Sequence, residues 1–262
     1  MKTVALCNQK GGVGKSTTTF HLARAAANAG VRTLIIDMDP QGNITQSLSD
    51  ITEGQVGVAD ALSARTSETL ADVITPSPWS GVDIAPTTGE TLGYVRDELV
   101  LSGAGREARL KEQIAALPTP YDLVLIDCPP YLDQLTINAL SAADGVLIIT
   151  QSKQWSTTGL AHLLETIQSV RAHYNPGLQI SSVVVNLHDA RTVSGATWLE
   201  TINEAASAHK YRVFMPPIPK RVVISDSVEA GCGLDEWPGD TNELEDIYSA
   251  LLKEILQTWI VV

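Results

Sequence analysis

Residues 10–17 read KGGVGKST, and they separate an apolar run that ends near Asn8 from a segment that we predict to be helical, Ser16 to Ala29. A strand, a glycine-rich turn and a helix in this order form a phosphate-binding loop, because backbone N–H groups can then surround phosphate oxygens at the positive end of the helix dipole. The stretch matches the GxxxxGK[ST] pattern of such loops except at its first position, where Gln9 replaces glycine. The sequence therefore predicts a site for nucleotide phosphates.

The side chains of this loop are suited to separate tasks. Lys15 would neutralise charge on the β and γ phosphates, and the Ser16 hydroxyl would coordinate Mg²⁺. A glycine-rich turn that only joins a strand to a helix is the alternative, but a lysine, a serine and a threonine in register after a strand argue against it. The predicted contacts to the nucleotide in this loop are Lys10, Gly11, Gly12, Val13, Gly14, Lys15, Ser16 and Thr17.

A second lysine, Lys10, begins the loop, although phosphate binding of this kind needs only one. A lysine in a surface turn is commonly a solvated charge. A cation supplied by a neighbouring subunit would instead stabilise the charge of a phosphoryl group in transfer, as an arginine finger does.

Two further motifs end in carboxylates. The segment TLIIDMDPQGN (residues 33–43) places Asp37 and Asp39 on the same side of a strand end, and DLVLIDCPP (residues 122–130) ends a buried strand with Asp127. A carboxylate beside a phosphate-binding loop can orient or deprotonate an attacking water, or hold a metal-bound water. A single aspartate at a strand end is more often a turn or helix cap, but three motifs in this order favour catalysis and metal binding.

Short apolar runs alternate with amphipathic stretches, which predicts an α/β fold with a mostly parallel sheet and helices on both faces, in a single domain over residues 1–262. The predicted strands are TVALCN (3–8), TLIIDMD (33–39), VDIAP (82–86), DLVLIDCPP (122–130), GVLIIT (145–150), ISSVVVN (180–186) and VFMPPIP (213–219). The predicted helices are Ser16 to Ala29, Gly105 to Ala116, Leu135 to Ala142, Thr158 to His173, Gly195 to His209 and Leu244 to Trp259. Residues 48–105 have the least regular pattern.

The composition narrows the function classes. A formal net charge of −12 argues against a broadly basic nucleic-acid surface but leaves room for a local basic patch. No apolar run approaches the ~18 residues of a membrane span, and the start of the chain lacks the pattern of a secretory signal, so we expect a cytoplasmic protein. Three widely spaced cysteines indicate neither a disulfide framework nor a zinc site, so Cys7, Cys128 and Cys232 are expected to be reduced thiols.

Together, KGGVGKST, DMDPQGN and LVLIDCPP resemble the deviant Walker A ATPases of the ParA/Soj type, bacterial partition proteins that position chromosomes, plasmids and other cargo. The resemblance runs from Thr3 to about Val223. It implies an ATP-hydrolysing molecular switch with ATP and Mg²⁺ as cofactors, a homodimer in the ATP-bound state, non-specific DNA binding and a ParB-like activating partner.

The same resemblance implies roles for single residues. Lys10 would reach across the dimer to the nucleotide of the other subunit, and Asp39 would position or activate the hydrolytic water. Asp37 would lie behind Asp39 near the metal, and Asp127 would bind Mg²⁺ through water. The implied catalytic residues are thus Lys10, Lys15 and Asp39, and the implied metal site is Ser16, Asp37 and Asp127.

The second half of the chain carries further implied contacts and departures from the family pattern. Asn186, in VVVNLHDAR, would lie near the adenine base, and Pro219, in PPIPKR, would cover its other face. The family's Ile-Pro-Arg-Asn-Val-Arg loop reads IPKRVVI here, and the surrounding acids imply weak or salt-sensitive DNA binding. The candidate DNA contacts are Arg191, Lys210, Arg212, Lys220 and Arg221.

Two other functions use a similar loop. A metabolic synthetase, like cobyrinic acid a,c-diamide synthase or dethiobiotin synthetase, would activate a small carboxylic acid. DMDPQGN fits partition proteins better, and we expect neither an appended glutaminase domain nor a nucleophilic Cys128. A MinD-like ATPase would bind a membrane through its last helix, but acids outnumber bases on that helix's polar face, so we expect its apolar face to pack against the sheet. This face comprises Leu244, Ile247, Tyr248, Leu251, Leu252, Ile255 and Trp259.

Overall fold

The structure is a computed structural model that describes residues 1–52, 54–118, 121–152 and 157–257. The strands are β1 (Lys2–Cys7), β2 (Thr33–Asp37), β3 (Thr75–Pro76), β4 (Val82–Ala85), β5 (Leu123–Asp127), β6 (Gly145–Gln151) and β7 (Gln179–Asn186). The helices are α1 (Lys15–Asn28), α2 (Asn43–Leu48), α3 (Val58–Leu62), α4 (Leu70–Val73), α5 (Thr91–Leu101), α6 (Arg109–Ala115), α7 (Gln134–Ala142), α8 (Thr157–His173), α9 (Val193–Ala208), α10 (Val222–Glu229) and α11 (Asn242–Gln257), with a 3₁₀ turn at Leu234–Glu236.

The strands form one seven-stranded sheet in the order β3-β4-β2-β5-β1-β6-β7. All neighbouring strands are parallel except β3, which pairs antiparallel with β4. The register places Leu6 and Asp37 on either side of Asp127, and it places Gln151 beside Asn186. Because parallel strands share one carboxyl edge, the ends of β1, β2, β5, β6 and β7 meet there.

Helices cover both faces of the sheet, which confirms the predicted fold class. Successive residues of β1 alternate between two buried clusters, with Ala5 and Cys7 in one and Val4 and Leu6 in the other. Helices α3 to α9 contribute to the first cluster, and α1, α2, α10 and α11 contribute to the second. The strands are nearly all apolar because side chains on both of their faces are buried.

The last helix packs onto the second cluster, as predicted. Its apolar face is buried there, and α11 also lies along α1. Trp259, which the sequence places on this face, lies outside the described residues. Within the described part of the chain, no helix is long and apolar enough to span a membrane. The buried side chains of α11 are Leu244, Ile247, Tyr248, Leu251, Leu252 and Ile255.

Two regions differ from the sequence prediction. The segment 213–219 was expected to be a strand, but it makes only two isolated bridges to the β7 region, at Val213 and at Pro219. Prolines at 216, 217 and 219 lack the N–H groups that a continuous ladder requires, which explains the difference. The region 48–105, whose sequence pattern is irregular, contains the edge strand β3 and the helices α3, α4 and α5. Helices α3 and α4 are at most five residues long.

His21 is a buried titratable side chain at the junction of three helices. It lies on α1, stacks against Tyr248 of α11 with ring centroids 4.7 Å apart, and places Nε2 3.0 Å from the Ile224 carbonyl oxygen of α10. Burial lowers the pKa of His21 to about 4, with a smaller opposing effect from Ile224. The charged groups that line the small cavity beside it are Arg24, Asp235 and Glu245.

We expect His21 to make the protein less stable in mild acid. Since the unfolded chain takes up a proton on this imidazole near pH 6.5 and the folded chain only near pH 4, the free energy of unfolding falls as pH decreases through that window. Urea unfolding of wild type and His21→Phe at pH 7.5 and pH 5 measures the effect. The wild type should lose about 2 kcal/mol more than the variant over this step. If wild type and variant lost the same free energy of unfolding between pH 7.5 and pH 5, His21 would not titrate in this way.

Candidate nucleotide-binding site

A pocket of about 640 Å³ lies at the carboxyl edge of the sheet, where the loop after β1 leads into α1. Gly12 and Gly14 have φ angles of 70° and 88°, a left-handed conformation that glycine adopts without a Cβ clash. Six of the loop residues that were predicted to contact the nucleotide line this pocket: Gly11, Gly12, Gly14, Lys15, Ser16 and Thr17. Val13 differs, because its side chain is buried in the second core cluster and only its backbone can contribute.

The two lysines of the loop have different environments. Lys15 is 6% exposed and begins α1, so its ammonium is held near the pocket by the start of the helix. Lys10 is exposed, and its backbone N–H donates to Asn8 Oδ1 at 2.9 Å. The Asn8 side chain in turn donates to the Ile149 carbonyl oxygen of β6. The start of the loop is therefore fixed while the Lys10 side chain extends from the surface.

Asp37 and Asp127 are fully buried neighbours on adjacent strands. Burial, and then the Asp127 charge, raises the pKa of Asp37, while hydrogen bonds from Thr45 and the Asp39 N–H oppose the rise. Burial is also the main cause that raises the pKa of Asp127, and interactions with Ser16 and Lys15 act in the opposite direction. Two carboxylates at this spacing in an apolar sheet repel each other, so a cation beside them would be strongly stabilised.

The hydrogen bonds of these two acids differ. Asp37 Oδ1 accepts from the Asp39 N–H at 3.1 Å, and Asp37 Oδ2 accepts from the Thr45 hydroxyl at 2.6 Å and the Thr45 N–H at 3.2 Å. Asp127 Oδ1 accepts a long bond of 3.4 Å from the Thr19 hydroxyl, and Asp127 Oδ2 is buried with no hydrogen-bond partner in the described chain. An orphaned carboxylate oxygen is costly unless a ligand satisfies it.

These residues fit a magnesium ion. Mg²⁺ in nucleotide sites uses one or two protein oxygens and completes its shell with phosphate and water, so it needs no protein cage. In agreement, the described residues hold no group of three or more His, Cys, Asp or Glu that could bind a metal. Ser16 and the free oxygen of Asp127 could hold the ion directly or through water. Both oxygens of Asp37 already accept hydrogen bonds, and its place in the metal site stays a prediction.

Asp39 lines the pocket and is 6% exposed. Its Oδ1 accepts the Gln41 N–H at 3.0 Å, which fixes the carboxylate at the turn after β2. Burial raises the pKa of Asp39, while the Gln41 N–H and the Lys15 charge oppose the rise. The other oxygen, Oδ2, is the one available to a water molecule in the pocket.

Sequence reasoning missed the polar residues that hold the Asp37 carboxylate. Thr45 lies on α2, and its hydroxyl both donates to Asp37 and accepts from the Thr87 N–H at 2.9 Å. The Thr87 hydroxyl donates to the Asp37 carbonyl oxygen at 2.8 Å. No motif marks these threonines, because their positions depend on how α2 and the end of β4 fold back over β2. The pocket residues also missed are Gln41, Asn43, Gln46, Ser47, Pro130, Val228 and Glu229.

The residues predicted near the base lie on the other side of the loop. Asn186 ends β7 and is 1% exposed, and its amide contacts the loop backbone at Val13 rather than an open surface. Pro219 forms a bridge with His188, which brings the segment 213–219 up to the carboxyl edge. Whether these residues contact a base stays a prediction.

The five predicted DNA-binding cations are all exposed. Lys220 and Arg221 lie at the carboxyl edge, where the Lys220 N–H donates to the His188 carbonyl oxygen. The Arg212 carbonyl oxygen accepts from the Val183 N–H of β7, and Lys210 lies two residues before Arg212. Arg191 pairs with Asp189, with Nε and Oδ1 2.9 Å apart. No short ion pair involves Lys210, Arg212, Lys220 or Arg221 in the described chain, and DNA contact by the five cations stays a prediction.

Comparisons with known proteins agree with the geometry. A family model described as an AAA domain matches residues 1–180. The sporulation initiation inhibitor protein Soj of Bacillus subtilis is 36% identical over 97% of this chain and 98% of its own length. The chromosome partitioning protein ParA of Caulobacter vibrioides is 37% identical over 88% of this chain and 85% of its own length.

Solved structures show the same fold. Cobyrinic acid a,c-diamide synthase from Mycobacterium smegmatis, with a bound ATP analog and magnesium, superposes with a TM-score of 0.81 and 29% identity, covering 99% of this chain and 96% of the other. Apo McdA from Cyanothece superposes with a TM-score of 0.86 and 25% identity, covering 98% of this chain and 99% of the other. By sequence identity over nearly its whole length, the chain belongs to the Soj/ParA family of chromosome-partitioning ATPases.

Proposed function

We propose that this protein is an ATP-hydrolysing molecular switch that forms a nucleotide sandwich dimer and positions or segregates a chromosome, a plasmid or other cargo. The observation that carries the proposal is that Asp39 and Lys15 line the same pocket and that the charges of both act on Asp127, which has a buried oxygen without a partner. A phosphate-binding loop alone would bind nucleotide, whereas this arrangement also offers a carboxylate for water and a place for Mg²⁺. Names of the relatives support the cargo-positioning part of the proposal.

Each residue of the pocket has a distinct task in hydrolysis. Loop N–H groups and Lys15 bind the phosphates, and Asp39 orients the attacking water through its available oxygen. Ser16 and Asp127 would hold Mg²⁺, which would neutralise phosphate charge. Asp37 acts through its neighbours, because it accepts the Asp39 N–H and thereby fixes the turn that carries that carboxylate.

Removing Asp39 should separate nucleotide binding from turnover. In Asp39→Ala we expect ATP to bind while hydrolysis at saturating ATP falls about 10²-fold or more, because the water loses its orienting carboxylate. Light scattering on this variant should give a monomer with ADP and a dimer with ATP and Mg²⁺. A mass that never responds to ATP would contradict the switch and favour a synthetase, for which small carboxylic acids would be screened.

Lys10 is the residue that we assign to the partner's nucleotide. Its side chain is exposed, its backbone is fixed by Asn8, and the next residue, Gly11, lines the pocket, so Lys10 is free to contact a second copy that closes over the pocket. A cation delivered in this way stabilises phosphate charge only in the dimer.

Lys10→Ala should keep ATP affinity within about threefold of wild type, since the loop N–H groups and Lys15 remain. The ATP-dependent dimer should be lost in light scattering. Lys111→Ala provides the matched control, because Lys111 is an exposed lysine of α6 outside the pocket lining. Dimerisation of the Lys10 variant at the control's level would refute the cross-subunit assignment.

Non-specific DNA binding by the dimer is the next part of the proposal. The five candidates include two pairs close in sequence, Lys220 with Arg221 and Lys210 with Arg212, and the net charge is −12. Few phosphates can then be neutralised by each subunit, so binding should be weak and sensitive to salt. A ParB-like activating protein and a cytoplasmic, nucleoid-associated location complete the proposal by the family resemblance.

Replacing Lys220 and Arg221 together by alanine should test the DNA surface. We expect the slope of log affinity against log salt to become shallower by about 2 per subunit, measured on random-sequence duplex DNA with the ATP-bound Asp39→Ala background. Arg191→Ala should change the slope by less than about 0.5, because Asp189 already neutralises Arg191. Equal slopes for the parent protein, the double variant and Arg191→Ala would show that Lys220 and Arg221 do not contact DNA.

The synthetase alternative is not favoured by the site. Cobyrinic acid a,c-diamide synthase shares the fold at 29% identity, whereas the partition proteins are 36–37% identical. Cys128 is fully buried, and its thiol lies against the Cys7 thiol, 3.3 Å away between the sulfurs. The hydrogen bond with Cys7, together with burial, raises the pKa of Cys128, so this thiol is a poor nucleophile.

A further inference from the structure

Four consecutive carbonyl groups, from Gly12 in the phosphate-binding loop to Lys15 at the start of α1, accept hydrogen bonds. Gln151 Nε2 donates to the Gly12 carbonyl oxygen at 2.6 Å, and Asn186 Nδ2 donates to the Val13 carbonyl oxygen at 2.9 Å. The next two carbonyl oxygens accept from α1 itself: Gly14 from the Thr18 N–H and hydroxyl, and Lys15 from the Thr19 hydroxyl. Four consecutive peptide groups are therefore oriented, two by the helix and two by amides from the sheet.

The orientation of a carbonyl fixes the N–H of the same peptide group. A trans peptide is planar, so the C=O of Gly12 and the N–H of Val13 point in opposite directions, as do the C=O of Val13 and the N–H of Gly14. No described residue accepts either N–H within the protein. Both N–H groups are thus turned away from the sheet amides, toward the pocket that Gly12 and Gly14 line.

We propose that Gln151 and Asn186 are positioning residues that hold the loop in its phosphate-binding conformation before the nucleotide arrives. We refer to the two side chains together as the amide clamp. They are register partners on β6 and β7, so adjacent strands deliver the two amides side by side to successive loop carbonyls. The clamp rests on the proposed ATPase function, and it explains how a glycine-rich segment can present its N–H groups in a fixed array.

The surroundings of Asn186 leave its amide one orientation. Its Oδ1 accepts the Leu187 N–H at 2.8 Å, which directs Nδ2 toward the loop, and the side chain is 1% exposed. A Cβ atom placed on Gly14 would lie 2.1 Å from Asn186 Nδ2. Gly14 is therefore required by this close approach as well as by its positive φ, and the loop and the amide are fitted to each other.

The clamp role predicts a different binding pattern from a contact with the base. A clamp acts on the phosphates, so its loss weakens ATP and a ligand without a base equally. A base contact contributes nothing to a ligand that has no base. Inorganic tripolyphosphate with Mg²⁺ is therefore the probe that separates the two roles, with ATP and GTP as the nucleotides.

The test measures the dissociation constants of these three ligands for wild type, Gln151→Met and Asn186→Leu by calorimetry. Asn175→Leu is the matched control, because the Asn175 amide also donates to backbone carbonyls, those of Leu140 and Ala143, at the opposite edge of the sheet. Each clamp variant should bind both ATP and tripolyphosphate about 5- to 10-fold more weakly, the effect of one lost hydrogen bond. The control should lower the melting temperature without changing any dissociation constant.

Other results would overturn the proposal. If Asn186→Leu weakened ATP and altered the preference over GTP while tripolyphosphate bound as in wild type, Asn186 would be a base contact. If the control weakened tripolyphosphate as much as the clamp variants did, the effect would be general destabilisation. A wild-type chain that bound neither ATP nor tripolyphosphate would overturn the proposed ATPase function and the clamp together.

Discussion

The parallel register of β1, β5 and β2 is the constraint on which the site depends. It places Asp127 between Leu6 and Asp37 at the carboxyl edge, directly after the buried core of each strand. Backbone hydrogen bonds and apolar packing on both faces hold the three strand ends together. The carboxylates are consequently forced into proximity by the sheet, although they repel each other.

The two repelling carboxyl groups, those of Asp37 and Asp127, have unequal numbers of hydrogen-bond donors. Thr45 and the Asp39 N–H satisfy Asp37, so that carboxylate belongs to the folded scaffold, whereas Asp127 keeps an oxygen without a donor. Buried polar groups are normally satisfied, and exceptions concentrate where a ligand completes the site. The two carboxyl groups therefore differ in their hydrogen bonds, although the two residues end neighbouring strands in the same way.

The sequence predicted those features that depend on neighbouring residues in the chain, and it missed those that depend on tertiary contacts. Strand runs with both faces buried, the loop from Lys10 to Thr17 and the strand-end aspartates follow short-range patterns, and the structure places them as expected at the carboxyl edge. The segment 213–219 was misassigned because apolar residues between prolines resemble a strand but cannot form a ladder. Thr45 and Thr87 escaped notice, since only tertiary folding brings them to Asp37.

Asn186 shows where family resemblance and physical reasoning diverge. The family resemblance implies that Asn186 lies near the adenine base. In the structure its amide is buried against the predicted phosphate-binding loop. Glycines give a loop the freedom to turn its N–H groups inward, and the same freedom costs conformational entropy unless something external limits it. Side chains at the ends of β6 and β7 supply that limit here, because the parallel pairing of the two strands holds both side chains in register. The conformation of the phosphate site thus depends on β6 and β7 as much as on the sequence motif of the loop itself.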